Sequence, residues 1–212
     1  MAVTSAQIVS DAMQYAGHAG YTFGGVPGAT GRTWDCSSFV NAVTGRDLHM
    51  AIPGYAAGKF NGDAHGPVVA QWASWAGAPP LPAGQRPSPG DIVVFNGIGA
   101  SGHMGIATSA NEMISALDTA SGTLVTPIDG YGPVGAPLSF HRLTAAVMSG
   151  GDPGTATIAS NPGEAAADMA AALIVGAAVP AVFAFVILGL AAVLGVGLAI
   201  LGTTAAARAA GP

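Results

Sequence analysis

The chain has 212 residues, half of them hydrophobic and only 8% charged, and its mean hydropathy of +0.51 is high for an ordinary soluble domain. Six basic residues against eleven acidic ones give a net charge of -5, which leaves no basic face for a phosphate backbone and argues against nucleic-acid binding. One cysteine excludes an intramolecular disulfide framework and a multi-cysteine zinc site, while leaving a single reactive thiol.

From the N-terminus, Ser5 followed by AQIVSDAMQYAGHA predicts a capped amphipathic helix, with Ile8, Ala12 and Tyr15 on one face and a stop near Gly17. YTFGGVPGATGRTW then reads as a loop in which Gly24 and Gly25 supply positive φ or close backbone approach. The loop ends at Asp35 and Cys36, and SSFVNAVTG continues as a helix that Gly45 is expected to end. Cys36 is thus expected at a helix N-terminus, where unsatisfied N–H groups and the positive dipole end lower a thiol's pKa and can donate to an oxyanion. Trp72 and Trp75 in AQWASWAGA are expected on a core helix face.

A thiolate nucleophile needs a base, and His103 has the most informative surroundings of the five histidines. PGDIVVF is a turn and a strand, HMGIATSA restarts a strand at His103, and NEMISAL continues as a third. Antiparallel packing of these strands against the Cys36 helix brings an imidazole towards the sulfur. His18, His49, His65 and His141 have no metal-ligand spacing and are expected to be structural or exposed.

After this domain, SGGDPGTATIASNPGE reads as a flexible linker. From Met169 to Leu201 no residue is charged, which predicts a transmembrane-like helix that either overhangs the bilayer or breaks at Pro180. Ala191, Gly195 and Ala199 form a small-residue ridge suited to self-association or to other subunits. The expected organisation is residues 1–146 as a catalytic domain, 147–166 as linker, and 167–212 as hydrophobic helix and tail. MAVTSAQIVSDAMQYAG has neither a basic n-region nor an apolar h-region, so no secretory signal peptide is expected.

YTFGG, DCSSFV, PGDIVVF and GHMGIA, in that order, resemble the NlpC/P60 family of cell-wall cysteine peptidases over roughly residues 5–145. The resemblance implies a papain-like α+β fold, with N-terminal helices packed on an antiparallel sheet, and cleavage of peptidoglycan stem peptides, often between γ-D-glutamate and a diamino acid. It implies Cys36 as nucleophile, His103 as base and Tyr21 as oxyanion support. Asp35 and Ser37 would bind substrate, as in members where they hold an amino group. The polar residue that orients the imidazole would be Ser115, a weaker partner than a carboxylate, for which Glu112 or Asp118 could substitute. No metal or cofactor is required by such a mechanism.

The ALDTASGTLVTPIDGYGPVG stretch, the Ala/Gly-rich span and the missing signal also resemble versions of this domain in tail proteins of phages infecting actinobacteria. The expected setting is therefore a virion tail or the cell envelope, with residues 169–201 meeting a membrane. The alternative is a catalytically weak structural or channel-forming tail protein, whose peptidase-like domain only binds peptidoglycan or neighbouring subunits.

Overall fold

The computed structural model describes residues 2–28, 33–97, 101–132, 136–151 and 153. Helix α1 spans Ser5–Met13, and its cap is Thr4 rather than Ser5. The Thr4 hydroxyl accepts from the Gln7 N–H at 3.2 Å, and the Gln7 side chain accepts from the Thr4 N–H at 2.8 Å. This reciprocal pair satisfies two donors that the first turn leaves open. Ile8 and Ala12 are fully buried, and Tyr15, just past the helix end, meets Trp34 edge-on with ring centroids 4.8 Å apart.

The glycine pair that follows does both things expected of it. Gly24 has φ +71, while a Cβ on Gly25 would lie 2.5 Å from the Thr33 carbonyl oxygen. That close approach accompanies a short parallel pair, β1 (Gly20–Tyr21) and β2 (Thr33–Trp34), with Tyr21 opposite Trp34. Tyr21 is thereby set beside the segment that leads into Cys36.

Helix α2 (Cys36–Asn41) starts from Asp35, whose carboxylate accepts from the Ser38 N–H at 2.9 Å while the Ser38 hydroxyl accepts from the Asp35 N–H at 2.9 Å. The helix does not stop at Gly45, as its sequence suggests. It continues as a π-helical turn over Ala42–Asp47. A Cβ on Gly45 would lie 2.9 Å from both Ile52 Cδ1 and Phe60 Cδ1, so this glycine serves close packing rather than termination. Helix α3 (Val69–Ala73) carries Trp72, whose indole N–H donates to Asn41 Oδ1 at 2.9 Å; Trp75, just beyond it, packs edge-on at 5.4 Å. Both tryptophans are buried, as expected of core residues.

The main sheet is antiparallel, with strand order β6-β5-β4-β3-β7. Its strands are β3 (Ile92–Phe95), β4 (His103–Ala107), β5 (Glu112–Asp118), β6 (Gly122–Pro127) and β7 (Leu138–His141). The first three match the strands read from the sequence, and β6 and β7 extend the sheet at either edge. Along β3 the side chains alternate between two apolar clusters. Ile92 and Val94 join Met104, Ile106 and the helices, whereas Val93 and Phe95 join Ala107, Met113 and Ile128 on the other face. Each such side chain buried from water contributes roughly 1.5–3 kcal/mol before entropy is counted.

Polar ties hold the edges. The Trp34 indole donates to the Thr123 hydroxyl at 3.0 Å, joining β2 to β6, and Arg142 pairs with Asp91 at 2.7 Å where β7 meets β3. A last helical turn, α4 (Ala145–Met148), is capped by Thr144. The arrangement is a papain-like α+β fold with an antiparallel sheet. Among the described residues no helix is long and apolar enough to cross a membrane. The hydrophobic segment 167–212, its Pro180 break and its small-residue ridge lie outside the described residues.

Candidate active site

Cys36, His103, Tyr21, Asp35 and Ser37 line one cleft, together with Phe23, His65, Val68, Val69, Ser101 and Gly102. Cys36 is the first residue of α2 and is 8% exposed. The N–H groups of Met104, Ser37 and Cys36 itself face its sulfur and favour the thiolate, but burial and the Asp35 carboxylate outweigh them and push the thiol up to about 12. Position at a helix start therefore does not lower this pKa, contrary to the expectation from sequence. Desolvation costs the charged sulfur more than the short helix returns.

His103 opens β4, opposite Phe95 of β3, and its Nε2 is 3.0 Å from the Ser115 hydroxyl on β5. Close strand approach makes this reach short. A Cβ on Gly105 would lie 2.7 Å from the Ile114 carbonyl oxygen and 2.9 Å from Ser115 Cβ, so a larger residue would force the strands apart. Ser115 is fully buried, whereas Glu112 and Asp118 are exposed; Asp118 is occupied with the Ala120 and Ser121 N–H groups of the next turn. The partner of His103 in this structure is the serine.

One ring face of His103 is covered by Tyr131, with centroids 4.6 Å apart and planes tilted by 32°. Phe95 packs against both rings. Burial holds the His103 imidazole down at about 4, so it stays neutral through the physiological range. Tyr131 and Tyr21 both stand close enough to the Cys36 sulfur to have their phenols raised by it, in addition to the larger effect of burial.

Beside this neutral pair lies a charged one. His65 Nε2 is 2.8 Å from Asp35 Oδ2 and His65 Nδ1 is 3.1 Å from the Gly66 carbonyl oxygen. Both partners can only accept, so both ring nitrogens carry protons and the ring is an imidazolium. Burial lowers its pKa, but Asp35 and the Gly66 carbonyl outweigh burial and raise it. Burial likewise raises Asp35, and His65 with the Ser38 and Gly24 N–H groups outweighs that to hold the carboxyl below its usual range.

Among the side chains that set charge here, His65 and Tyr131 are ones that the sequence does not assign to the site. His65 sits in KFNGDAHGPVV and Tyr131 in IDGYG, turn-rich stretches without periodicity. The only hint was the type of residue. Among the described residues no group of three His, Cys, Asp or Glu side chains is arranged to hold a metal ion.

Among solved structures, an NlpC/P60 family protein from Bacillus cereus ATCC 10987 superposes with a TM-score of 0.50 at 15% identity, covering 68% of this chain and 41% of that one. NlpC2 from Trichomonas vaginalis gives 0.49 at 14% identity, covering 66% and 46%. The peptidoglycan hydrolase RipB from Mycobacterium tuberculosis gives 0.44 at 17% identity, covering 65% and 63%. The chain thus spans less than half the length of the first two, and the likeness to the Bacillus cereus protein speaks to the fold alone. No curated protein matches the chain. The family model described as NlpC/P60 matches residues 18–132, which is more than half of the sequence and includes Cys36, His103 and Ser115. The chain belongs to the NlpC/P60 family.

Proposed function

We propose that this chain is a peptidoglycan endopeptidase that cleaves stem-peptide amide bonds with Cys36 and His103. The observation that carries the reading is a single cleft holding a helix-start cysteine and a histidine whose Nε2 is engaged by Ser115. With Ser115 accepting from Nε2–H, the lone pair at Nδ1 is left to take the thiol proton. The sulfur then attacks the scissile carbonyl carbon, and the oxyanion is met by the Cys36 N–H and supported by Tyr21. The imidazolium formed on His103 returns its proton to the leaving amine as the C–N bond breaks, leaving an acyl-enzyme. A water deprotonated by His103 releases the acid and restores the thiol.

Both partners start neutral, so proton transfer accompanies attack rather than preceding it. The presence of a hydroxyl within hydrogen-bond reach of His103 supports catalysis over a purely docking role. The setting we propose is a cell envelope or phage tail, in which residues 169–201 contact a membrane. This rests on the uncharged stretch in the sequence.

Digestion of purified sacculi by the full chain, wild type against Cys36→Ala, tests the activity. New stem-peptide fragments, identified by mass spectrometry and absent with Cys36→Ala, are the expected result; intact sacculi with folded wild type would sink the hydrolase reading. Detection of the chain in purified phage particles, or in washed membranes, tests the setting.

A further inference from the structure

We infer that Asn41 is a positioning residue: its side chain ties the cleft wall formed by residues 65–69 to the helix that starts at Cys36, and so sets the gap in which substrate lies. The inference rests on the hydrolase reading, since the chain held in that gap is the stem peptide of the same site.

The wall gives His65, Val68 and Val69 to the cleft, and its two ends meet the neighbours of both proposed reacting residues. At one end His65 Nε2 is 2.8 Å from Oδ2 of Asp35, the residue before Cys36. At the other, a Cβ on Gly102, the residue before His103, would lie 3.1 Å from Val69 Cγ1. Cys36 is held by α2 itself, and His103 by β4 and the Ser115 hydroxyl. A shift of the wall therefore changes the room for substrate and leaves the reacting pair where it is.

What holds the wall is a polar group that the mechanism does not use. Asn41 is the last residue of α2 and is fully buried. Its Nδ2 donates to the His65 and Pro67 carbonyl oxygens, both at 2.9 Å, and its Oδ1 accepts from the Trp72 indole N–H of α3 at 2.9 Å. The amide fits only this way round, because a carbonyl only accepts and an indole N–H only donates. One side chain thus grips the chain both before and after Val68 and Val69. Gly66 lets it come this close: φ there is +81, and a Cβ would lie 2.8 Å from Asn41 Nδ2. Without the two donors the buried carbonyls lose their partners, and the wall must move to find water.

The test uses the full chain and a synthetic stem peptide, with kcat and KM read separately. Asn41→Asp keeps the shape and the acceptor for Trp72 but turns a carboxylate on two carbonyls. KM is expected to rise about tenfold with kcat within about threefold of wild type, the pattern of lost substrate holding. Lowering the pH protonates the buried carboxyl and restores one donor, so the rise in KM is expected to shrink. A fall in kcat at unchanged KM means only that less enzyme is folded, and it overturns the inference. Trp72→Phe keeps the ring and removes one hydrogen bond, so it serves where Asn41→Asp does not fold. There KM is expected to rise about two- to threefold, and a wild-type KM overturns the inference. A third readout needs no turnover: the nuclear Overhauser contact between the Val69 methyl and Gly102 is expected to weaken in either variant. Its full retention overturns the inference whatever the sacculus digestion shows, and intact sacculi with the contact weakened sink the hydrolase reading alone.

Discussion

His65 and His103 line the same cleft at 9% and 6% exposure, and Asp35 and Cys36 beside them are 5% and 8% exposed, yet the two pairs carry opposite charge states. The Asp35–His65 pair is ionised and the Cys36–His103 pair is neutral. Burial is nearly the same in each, so burial does not decide the difference. Partners do. Asp35 has four donors to repay the loss of water and His65 has two acceptors, whereas the His103 ring meets a hydroxyl and two aromatic faces. An ion pair is thus kept one residue from Cys36, while the proposed reacting groups, Cys36 and His103, are uncharged.

The comparison breaks most sharply if the neutral pair is not the reacting one. His103→Ala is expected to lower kcat/KM by at least about 10³-fold while the chain stays folded, because among the described residues no other group lining the cleft is a free base. His65, already protonated, cannot replace it. Retained activity in His103→Ala with loss in His65→Ala would exchange the roles of the two imidazoles.

The ionised pair is expected to show its worth in stability instead. Asp35→Asn leaves an imidazolium without its counter-ion, and the cost is about 3 kcal/mol at about pH 6, measured by urea unfolding. That pH follows from the signs. His65 has a raised folded pKa, so its contribution is complete below its unfolded value and is lost as pH rises through the folded one. Asp35 has a lowered folded pKa, so its contribution is complete above its unfolded value and is lost as pH falls through the folded one. Between the ordinary carboxyl and imidazole values both are present. A loss that does not diminish at alkaline pH would mean the pair acts through its hydrogen bonds alone.

The residues proposed to react are legible in the sequence, and those that set their charge are not. Cys36, His103 and Ser115 stand in segments whose turn and strand patterns announce themselves, and β3, β4 and β5 follow from alternation of apolar residues. A glycine that lets Ile52 and Phe60 approach, as Gly45 does, looks in sequence like one that ends a helix. The thiol pKa departs from the sequence expectation for a related reason: the helix start is local, whereas burial is a property of everything packed around it. His65 lies 30 positions from Asp35, and Tyr131 reaches His103 from a turn beyond β6; nothing local marks either contact.

A smaller effect is expected at Ser115. Its hydroxyl fixes the ring without supplying charge, so Ser115→Ala is expected to lower kcat about tenfold with little change in KM. A loss as large as that of His103→Ala would mean that the hydroxyl also governs which nitrogen carries the proton.

Tyr131 offers the finest test, because it is one of the groups that keep His103 dry. A base must be unprotonated to act, so a pKa held at about 4 predicts that kcat/KM stays flat as pH falls past the ordinary imidazole range and declines only near that value. Tyr131→Phe keeps the ring face and is expected to leave this acid limb in place. Tyr131→Ala admits water to the imidazole, which stabilises its protonated form and moves the limb upward towards the ordinary value of about 6.5, with a several-fold fall in kcat from the looser ring. If the limb moves equally in both variants, the phenol hydroxyl matters and not the stacked face. If it moves in neither, the contrast between the two histidines is set by the strands and Ser115, and the aromatic cover has no part in it.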